Sequence, residues 1–491
     1  MTQARPHRFG LSKSRITAFE QCPKRLWLGV HRPELAEQDA GAESRFVAGN
    51  AVGELACALR PGGVMIDAPT LPDALATTAS LIAGGHPGPF FEATFEHDGV
   101  LVRVDVLERL AEGGWAAAEV KSSTSVKDYH RGDLATQVWV MRQAGIDLRR
   151  AAIRHIDTGF VLTREGDYAG LFTDAELLAE LEDTVATRPM LVAEARAVLS
   201  GTEPVRDMGA HCTEPFACEF ATHCSRNLPE GPEWPVTILP NGGGKRWLER
   251  GIQNLLDLTE SDLGEKHARI LAATRSGIPF HDAEGARQAM AGWGWPRAWL
   301  DFETIAPAIP RWIGTRPYQQ VPFQFSLHLE HRDGCMTHHE FLSCDGSDPR
   351  RACAEALVAQ IPEEATIIAY NAAFERSVLR DLAKAFPDLA PRLAAMVEAT
   401  VDLLPVVRNH WYHRDQRGSW SIKAVLPTIA AELDYGALEV KDGGDAQSAW
   451  CEAADPACDP LRREALQEAL KAYCARDTWA MIAVARAVAG T

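Results

Sequence analysis

Two carboxylates stand two residues apart at the end of an apolar run, in the segment AWLDFETIAP. The run predicts a buried strand, and the side chains of a strand alternate between its two faces. Asp301 and Glu303 therefore share one face, while Phe302 points to the other. Adjacent like charges repel each other, and a shared divalent cation converts that repulsion into binding energy. The spacing predicts a metal site on this strand.

Polar side chains further along the chain are candidates for the same site. The segment YNAAFERSVL supplies Asn371 and Glu375 where a predicted strand runs into a predicted helix. The segment KAYCARDTWAM supplies Tyr473 and Asp477, which are four residues apart and so lie on one face of a helix. We expect these side chains to converge on the first two carboxylates.

A second group of chemically capable residues lies in the first half of the chain. Asp105 in VRVDVLE, with Glu119 and Lys121 in AEVKS, falls on consecutive predicted strands, and Glu119 and Lys121 share a face. The two carboxylates are able to hold a divalent cation, and the ammonium is able to orient or polarise an attacking water or a phosphate. For this trio alone, the alternative is an ion pair on an edge strand.

Three of the eleven cysteines crowd one short loop. Cys212, Cys218 and Cys224 recur at even five-residue gaps in HCTEPFACEFATHC, and soft ligands so close together indicate a metal. Cys22, in the turn QCPKR, is the other cysteine in a matching context. Four thiolates suit a [4Fe–4S] cluster and equally suit a structural Zn²⁺ ion. The remaining cysteines are expected to be buried thiols.

Basic and aromatic side chains interleave after the first acidic strand. Arg311, Trp312, Arg316 and Tyr318 follow one another in PAIPRWIGTRPYQQ. Such a combination holds single-stranded nucleic acid by phosphate pairing and base stacking. The alternative is a loop that packs on the sheet.

The elements that must position these residues form two α/β series. Helices are predicted over residues 11–30, 46–60 and 174–200, with two strands joined at Asp98-Gly99, a strong hairpin signal. After Cys224 a stretch rich in proline and glycine marks a boundary.

The second series follows short helical pieces over 245–295. From residue 297 predicted strands and helices alternate, and the series closes with a helix over 461–488.

Bulk properties limit the class of protein. A chain of 491 residues exceeds one ordinary core, so two or three domains are expected. No apolar run approaches the ~18 residues of a membrane span, and the N-terminus lacks the apolar segment of a secretory signal. We therefore expect a cytoplasmic protein without a membrane partner, whose cysteines serve as thiols or metal ligands. The net charge of −17 counts against nucleic acid as a partner, although acids gathered at metal sites contribute to it.

The first series resembles the PD-(D/E)XK nuclease superfamily, in particular the RecB-like exonucleases associated with CRISPR systems. The likeness rests on an Asp, then Glu-x-Lys, then a helix bearing Gln137, and on LSKSRITAFEQCPKRLWL, which is similar to their first helix. Two positions depart from that pattern: Gly53 stands where those nucleases usually carry a metal-binding His, and Met141 where their helix carries a Tyr. The resemblance implies a nuclease site and an iron–sulfur clasp with one cysteine before the domain and three after it. The implied residues are Asp105, Glu119, Lys121 and Gln137 in the site, and Cys22, Cys212, Cys218 and Cys224 in the clasp.

The second series resembles the DEDD exonucleases, proofreading-type 3′→5′ enzymes with a ribonuclease H-like fold. Asp-x-Glu on a first strand, Asn-x-x-Phe-acid at a later helix start and Tyr-x-x-x-Asp on a last helix occur in the expected order. The resemblance implies that two Mg²⁺ or Mn²⁺ ions activate water and stabilise the leaving oxygen, that Tyr473 positions the water, and that Asn371 lies at the nucleic acid. Glu375 stands where those enzymes normally have Asp. The implied catalytic residues are Asp301, Glu303, Glu375, Tyr473 and Asp477.

The whole chain resembles an uncharacterised bacterial family, a domain of unknown function, that fuses two such halves. We therefore expect an α/β protein with a PD-(D/E)XK restriction-endonuclease-like domain over 1–230, a helical connector over 231–296 and a ribonuclease H-like domain over 297–491. The expected activity is metal-dependent hydrolysis of single-stranded or frayed nucleic acid, with single-stranded DNA as the expected partner. Two alternatives stay open. One is a nucleic-acid-binding scaffold whose first half has lost catalysis, and the other is a phosphoesterase acting on small nucleotides, which the acidic charge favours.

Overall fold

A computed structural model describes residues 10–37, 42–226, 228–433, 435–436 and 438–491. The chain divides into two compact units with mixed α/β content. Unit 1 comprises Met1–Leu228 and Pro307–Tyr318, and unit 2 comprises Pro229–Ala306 and Gln319–Thr491. Within the described ranges, no helix combines the length and the apolar composition that a membrane span requires.

Unit 1 contains one mixed sheet. Its strands are β1 (Leu11–Ser12), β2 (Val64–Met65), β3 (Phe90–His97), β4 (Val100–Arg109), β5 (Trp115–Lys121), β6 (Leu148–Ile156) and β7 (Phe172–Glu176).

The order across this sheet is β2-β3-β4-β5-β6-β7, with β1 beside β4. Strands β5 and β6 run parallel, whereas β3–β4 and β4–β5 are antiparallel. The turn between β3 and β4 is the predicted hairpin, and both its residues have positive φ, 48° at Asp98 and 65° at Gly99. This confirms the hairpin prediction.

The helices of unit 1 flank that sheet. They are α1 (Lys13–Gln21), α2 (Pro23–His31), α3 (Ala42–Ala58), α4 (Leu71–Ala83), α5 (Asp128–Gln143), α6 (Glu182–Ser200) and α7 (Ala221–Ser225).

Two of the predicted helices differ from the structure. The expected helix over 11–30 breaks at Cys22, which is extended (φ −160°, ψ 118°) because Pro23 disfavours helical geometry in the residue before it. The expected helix over 174–200 begins only at Glu182, because Phe172–Glu176 pairs with β6 as a strand. The first residues of this predicted helix therefore form a strand, because pairing with the sheet outweighs their local helical pattern.

The main core of unit 1 lies between the sheet and α5. Leu134, Val138 and Met141 of α5 are fully buried against β3 and β4. Burial of three such side chains contributes roughly 1.5–3 kcal/mol each. The contact fixes α5, and with it the side chains that α5 presents to β5.

Unit 2 contains a second mixed sheet, in the order β11-β10-β9-β12-β13, and a small pair formed by β8 and β14. The strands are β8 (Phe280–His281), β9 (Arg297–Ile305), β10 (Val321–Glu330), β11 (Met336–Leu342), β12 (Thr366–Ala369), β13 (Thr400–Asp402) and β14 (Trp411–Tyr412). In the larger sheet β11, β10 and β9 are antiparallel neighbours, whereas β9, β12 and β13 run parallel.

The helices of unit 2 include the long C-terminal one that was predicted over 461–488. They are α8 (Lys245–Leu248), α9 (Glu265–Ser276), α10 (Ala283–Met290), α11 (Arg350–Gln360), α12 (Ala373–Ala385), α13 (Ala390–Ala399), α14 (Leu403–His410), α15 (Ile422–Val425), α16 (Gly443–Ala454) and α17 (Pro460–Ala489).

Among the described residues, apolar clusters that stabilise unit 2 include the following two. One packs Phe302 and Phe325 of the sheet against Leu357 of α11 and Leu379 of α12. The other lies in residues 234–273 and is closed by Tyr412 of β14, which is fully buried. The segment expected as a connector therefore packs into unit 2.

Candidate active site

Asp301 and Glu303 project from one face of β9, as their spacing predicts. Phe302 between them is 4% exposed and packs in the core on the opposite side. Oxygen atoms of the two carboxylates and the Cys474 sulfur lie within 4.8 Å of one another. The strand therefore holds two acids together at the edge of a cavity.

Other elements bring the remaining predicted residues to that cavity. Glu375 comes from the first turn of α12, and Tyr473 and Asp477 come from one face of α17. All three line the same cavity as the two strand acids, and we call it the acid cavity. Five of the predicted side chains, from three separate segments, thus line one cavity, whereas Asn371, which was expected to converge with them, does not line it.

Burial and mutual repulsion make these carboxylates unusual acids. Burial, and then the charges of Asp477 and Glu303, raise the pKa of Asp301 well above its ordinary value. Burial and the Asp477 charge raise the pKa of Glu303 to about 8. Burial, followed by the charge of Asp402, likewise raises the pKa of Glu375 to about 8. The cavity therefore gathers acids whose charged forms Lys423 stabilises only in part, and a bound cation would favour those charged forms further.

The donor set fits a divalent cation such as Mg²⁺ or Mn²⁺. Carboxylate oxygens are the hard ligands that these ions prefer. Within the described chain, Glu375 Oε2 is buried and has no hydrogen-bond partner, which is costly unless a ligand satisfies it. The Cys474 thiol is a soft ligand that these hard ions do not prefer, so the acids are the candidate ligands. The four carboxylates of the cavity fit such a cation.

Two polar residues of this site were not predicted. The Tyr435 hydroxyl donates to Asp477 Oδ1 at 2.6 Å and so holds that carboxylate in place. Lys423 Nζ lies 3.3 Å from the Tyr473 hydroxyl and donates to the Lys441 carbonyl at 2.7 Å. The segment GSWSIKAVLPTIA, which no predicted motif explained, contains Lys423.

Asp402, another acid near these elements, has a structural role. Its Oδ1 accepts the backbone N–H groups of Leu404, at 2.9 Å, and Asn371, at 3.0 Å. It thereby caps α14 and fixes the start of the segment that leads into α12.

The acidic trio of unit 1 is also assembled. Lys121 Nζ donates to Glu119 Oε1 at 2.8 Å, and Gln137 Nε2 of α5 donates to Glu119 Oε2 at 2.5 Å. Asp105 Oδ2 accepts the Val120 N–H at 2.6 Å. Both oxygens of Glu119, which is 2% exposed, therefore carry donors.

Two residues that the sequence analysis missed complete this network. The Lys13 ammonium also donates to Glu119 Oε1, and Asp133 Oδ2 accepts from Lys121 at 3.0 Å. Against the effect of burial, Lys13 and Lys121 lower the pKa of Glu119 to about 2. Burial, and then the Glu119 charge, raise the pKa of Asp105 to about 8. In this arrangement the ammonium groups already balance Glu119, so the trio does not fit a divalent cation as it stands.

The two positions that depart from the nuclease pattern, Gly53 and Met141, differ in how closely other residues pack around them. A Cβ atom added at Gly53 of α3 would meet no atom within 4 Å apart from the neighbouring backbone of its own helix. Met141, in contrast, is fully buried in the core of unit 1. The first position leaves open space and the second is a packing residue.

The four predicted cysteines line one small cavity of unit 1. Cys22 sits at the break between α1 and α2, and the other three lie in the loop that ends in α7. Gln21 Nε2 donates to the carbonyl oxygens of His211, at 2.8 Å, and Phe216, at 2.7 Å, and so holds α1 to that loop. Among the described residues, no three of these sulfur atoms form a group within 4.8 Å of one another, and a thiolate-ligated centre, iron–sulfur or zinc, stays a prediction.

The basic and aromatic segment lies in unit 1. The Gly314 N–H donates to the Leu162 carbonyl at 2.7 Å, and the Tyr318 hydroxyl donates to the Ser122 carbonyl. Arg311 and Arg316 are exposed, and Trp312 is half-buried. The fifth residue that was expected at nucleic acid, Asn371, lies in unit 2 instead, with φ 67°.

A comparison with protein families matches part of the chain. Residues 298–421 match a family model described as a domain of unknown function, DUF2779. This region contains Asp301, Glu303 and Glu375, and it ends before Tyr473 and Asp477. No curated protein matches the chain.

Proposed function

We propose that the protein is a metal-dependent nuclease whose 3′→5′ exonuclease chemistry takes place in unit 2. The observation that carries this proposal is the convergence of Asp301, Glu303, Glu375, Tyr473 and Asp477 on one cavity. Their order along the chain and their placement on a first strand, a later helix start and a last helix match the DEDD exonucleases with their ribonuclease H-like fold.

The chemistry follows from the side chains of this chain. Asp301, Glu303, Glu375 and Asp477 would hold the cations, which supply water activation and stabilisation of a leaving oxygen. Tyr473, whose hydroxyl lies 3.3 Å from Lys423 Nζ, would orient the attacking water. Tyr435 keeps Asp477 in position through its 2.6 Å hydrogen bond. A phosphodiester at the free 3′ end of a strand is the proposed substrate.

The proposal for unit 1 is a RecB-like PD-(D/E)XK fold with a four-cysteine clasp. The four thiols that line one cavity support the clasp, and a [4Fe–4S] cluster is the proposed occupant, with structural Zn²⁺ as the alternative. The contact of Lys13 with Glu119 favours the alternative in which unit 1 binds nucleic acid without cleaving it.

The decisive experiment uses single strands labelled at either end. Purified protein with Mg²⁺ or Mn²⁺ should shorten a 5′-labelled DNA or RNA strand stepwise from its 3′ end, and EDTA should stop the reaction. Asp301→Asn keeps the shape of the side chain but loses its charge. It should lower the rate on the order of 10³-fold, the effect of losing several kcal/mol of transition-state stabilisation.

Asp333→Asn, an exposed substitution in the turn between β10 and β11, is the matched control and should keep full activity. Undiminished degradation by Asp301→Asn would refute the proposal. Hydrolysis of small nucleotides without any degradation of strands would favour the phosphoesterase alternative.

A further inference from the structure

A groove opens beside the acid cavity of unit 2. We call it the strand groove, and its lining includes Tyr370, Asn371, Arg408, Trp420, Ile422 and Lys423. It encloses about 370 Å³, within the range of about 300–1,000 Å³ that is typical of small-ligand sites.

The strand groove adjoins the acid cavity. Tyr370, Ile422 and Lys423 line both of them. The groove and the cavity therefore lie on either side of the same three residues. A flexible chain that is bound along the groove would place its end at the acids.

The aromatic side of the groove is fixed before any ligand binds. The Tyr370 hydroxyl donates to the Trp420 carbonyl at 2.6 Å. The indole N–H of Trp420 donates to the Trp411 carbonyl at 3.0 Å. Rings that are already held lose little conformational entropy when a flat partner stacks on them.

The cationic side of the groove carries the positive charge of Arg408. Arg408, in the last turn of α14, is exposed and makes no hydrogen bond or ion pair with the described residues. Lys423, in contrast, is engaged with the Lys441 carbonyl and the Tyr473 hydroxyl. In a chain of net charge −17, an arginine without an acidic partner beside two aromatic rings marks a local preference for an anion.

We infer that the strand groove binds the nucleotides that lie 5′ of the residue held at the acids. Trp420 and Tyr370 offer surfaces for bases, Arg408 neutralises a phosphate, and the Asn371 amide supplies hydrogen bonds at the rim. Alternating flat apolar and anionic groups are the chemistry of a single strand of DNA or RNA. The inference rests on the proposed function and adds the substrate-holding subsite to it.

The test measures binding rather than cleavage. Fluorescein-labelled dT15 and rU15 are titrated with the full chain in EDTA, and anisotropy is recorded at several salt concentrations. Arg408→Ala should weaken binding about 5- to 10-fold and lower the slope of log K against log salt by about 0.7, the value for one lost phosphate contact on a single strand. Arg380→Ala, which removes an exposed arginine of α12 outside the groove, is the matched control and should change neither quantity.

Trp420→Ala tests the stacking surface. It should weaken binding by about 5- to 100-fold, the range for one lost base–aromatic stack. Because Trp420 also packs near Tyr412, thermal unfolding must show that the variant is folded, and Trp420→Phe should recover part of the affinity. Equal or unequal affinity for dT15 and rU15 distinguishes a general strand site from one that reads the 2′-hydroxyl.

The groove and the proposed function can fail separately. Unchanged affinity and an unchanged salt slope in Arg408→Ala would refute strand binding in the groove. This holds even if the protein degrades strands in a manner that depends on Asp301. The opposite result is a loss of affinity in Arg408→Ala and Trp420→Ala, with no degradation of strands in Mg²⁺ or Mn²⁺. It would support strand binding in the groove and refute the proposed exonuclease activity.

Discussion

Single residues decide what the acid cavity is able to do. Glu375 offers a longer side chain than the aspartate that DEDD exonucleases normally have, and its free Oε2 still lies buried at the cavity. Tyr435 and Lys423 hold Asp477 and Tyr473, respectively. The catalytic set is therefore supported by a second layer of polar contacts that fixes its geometry.

The Tyr473 hydroxyl is expected to orient water and not to bind a cation. Tyr473→Phe keeps the ring under Lys423, whose Nζ lies 5.2 Å from the ring centroid. The variant should lose about tenfold in the rate of 3′→5′ degradation, a cost of about 1.4 kcal/mol. Single-turnover assays beside Asp301→Asn measure the difference. A loss as large as that of Asp301→Asn would assign the hydroxyl a greater role than orientation.

His328 gives unit 2 a predicted pH dependence. Burial, and then the neighbouring His338, lower the pKa of His328 to about 4, and its Nδ1 lies 2.8 Å from the Thr478 hydroxyl. Because the unfolded side chain has a pKa of about 6.5, only the unfolded chain takes up this proton as the pH falls from about 6.5 to about 4. The free energy of unfolding should therefore decrease over that window.

The measurement is urea unfolding followed between pH 7 and pH 4.5. His328→Gln keeps a partner for Thr478 and does not titrate, so its stability should fall less steeply over the same window. An identical pH slope in the variant and the wild type would contradict the expected contribution of His328.

At the scale of elements, the helix break at Cys22 has a clear consequence. It places one thiol between α1 and α2, next to the loop that carries the other three. A bound centre at this cavity would connect the beginning of unit 1 to residues 212–224. The clasp is therefore expected to stabilise the whole unit.

Cys218→Ala should remove the bound centre and destabilise unit 1. Anaerobically purified wild-type protein is expected to be brown and to absorb near ~400 nm, as thiolate-ligated clusters do. A loss of about 2 kcal/mol would lower the midpoint of unfolding by about 4–8 °C for a unit of this size. The prediction that the remaining cysteines are buried is wrong for Cys335 and Cys451, which are exposed, and Cys335→Ala in unit 2 is the matched control.

Metal analysis separates the two possible occupants of this cavity. A colourless protein with one zinc per chain would identify a structural zinc site. A colourless protein without iron or zinc would refute the clasp.

At the scale of the whole molecule, the two units divide the predicted chemistry. In unit 2 a carboxylate oxygen of Glu375 is left without a hydrogen-bond partner among the described residues, whereas in unit 1 ammonium groups already balance both the charge and the hydrogen bonding of Glu119 Oε1. The insertion Pro307–Tyr318 leaves the sequence of unit 2 between β9 and β10 and belongs to unit 1. Net charge, a sum over the whole chain, does not reveal these local differences.

A triple substitution tests whether unit 1 cleaves nucleic acid. The variant that carries Asp301→Asn and Asp477→Asn should lose the activity of unit 2. Any cleavage that survives in it should disappear when Lys121→Ala is added, because that ammonium is the proposed group for polarising a phosphate or water in unit 1. Arg149→Ala, at an exposed position of β6, is the control. If the double variant cleaves nothing, unit 1 is a binding module.

Local spacing was enough to predict much of both sites. Alternation along a strand put Asp301 and Glu303 on one face, and a four-residue interval put Tyr473 and Asp477 on one face of α17. The Asp98-Gly99 turn and the α/β order after residue 297 could also be predicted from local sequence patterns. These features depend on backbone geometry that neighbouring residues fix by themselves.

Only the tertiary structure showed which distant residues contact the predicted residues of the two candidate sites. Lys13 reaches Glu119 across 106 positions, and Tyr435 reaches Asp477 across 42. The placement of Pro307–Tyr318 in unit 1 and the start of α6 at Glu182 were likewise set by pairing with remote segments. No local periodicity encodes such contacts, because they form only when the packing of whole elements brings the side chains together.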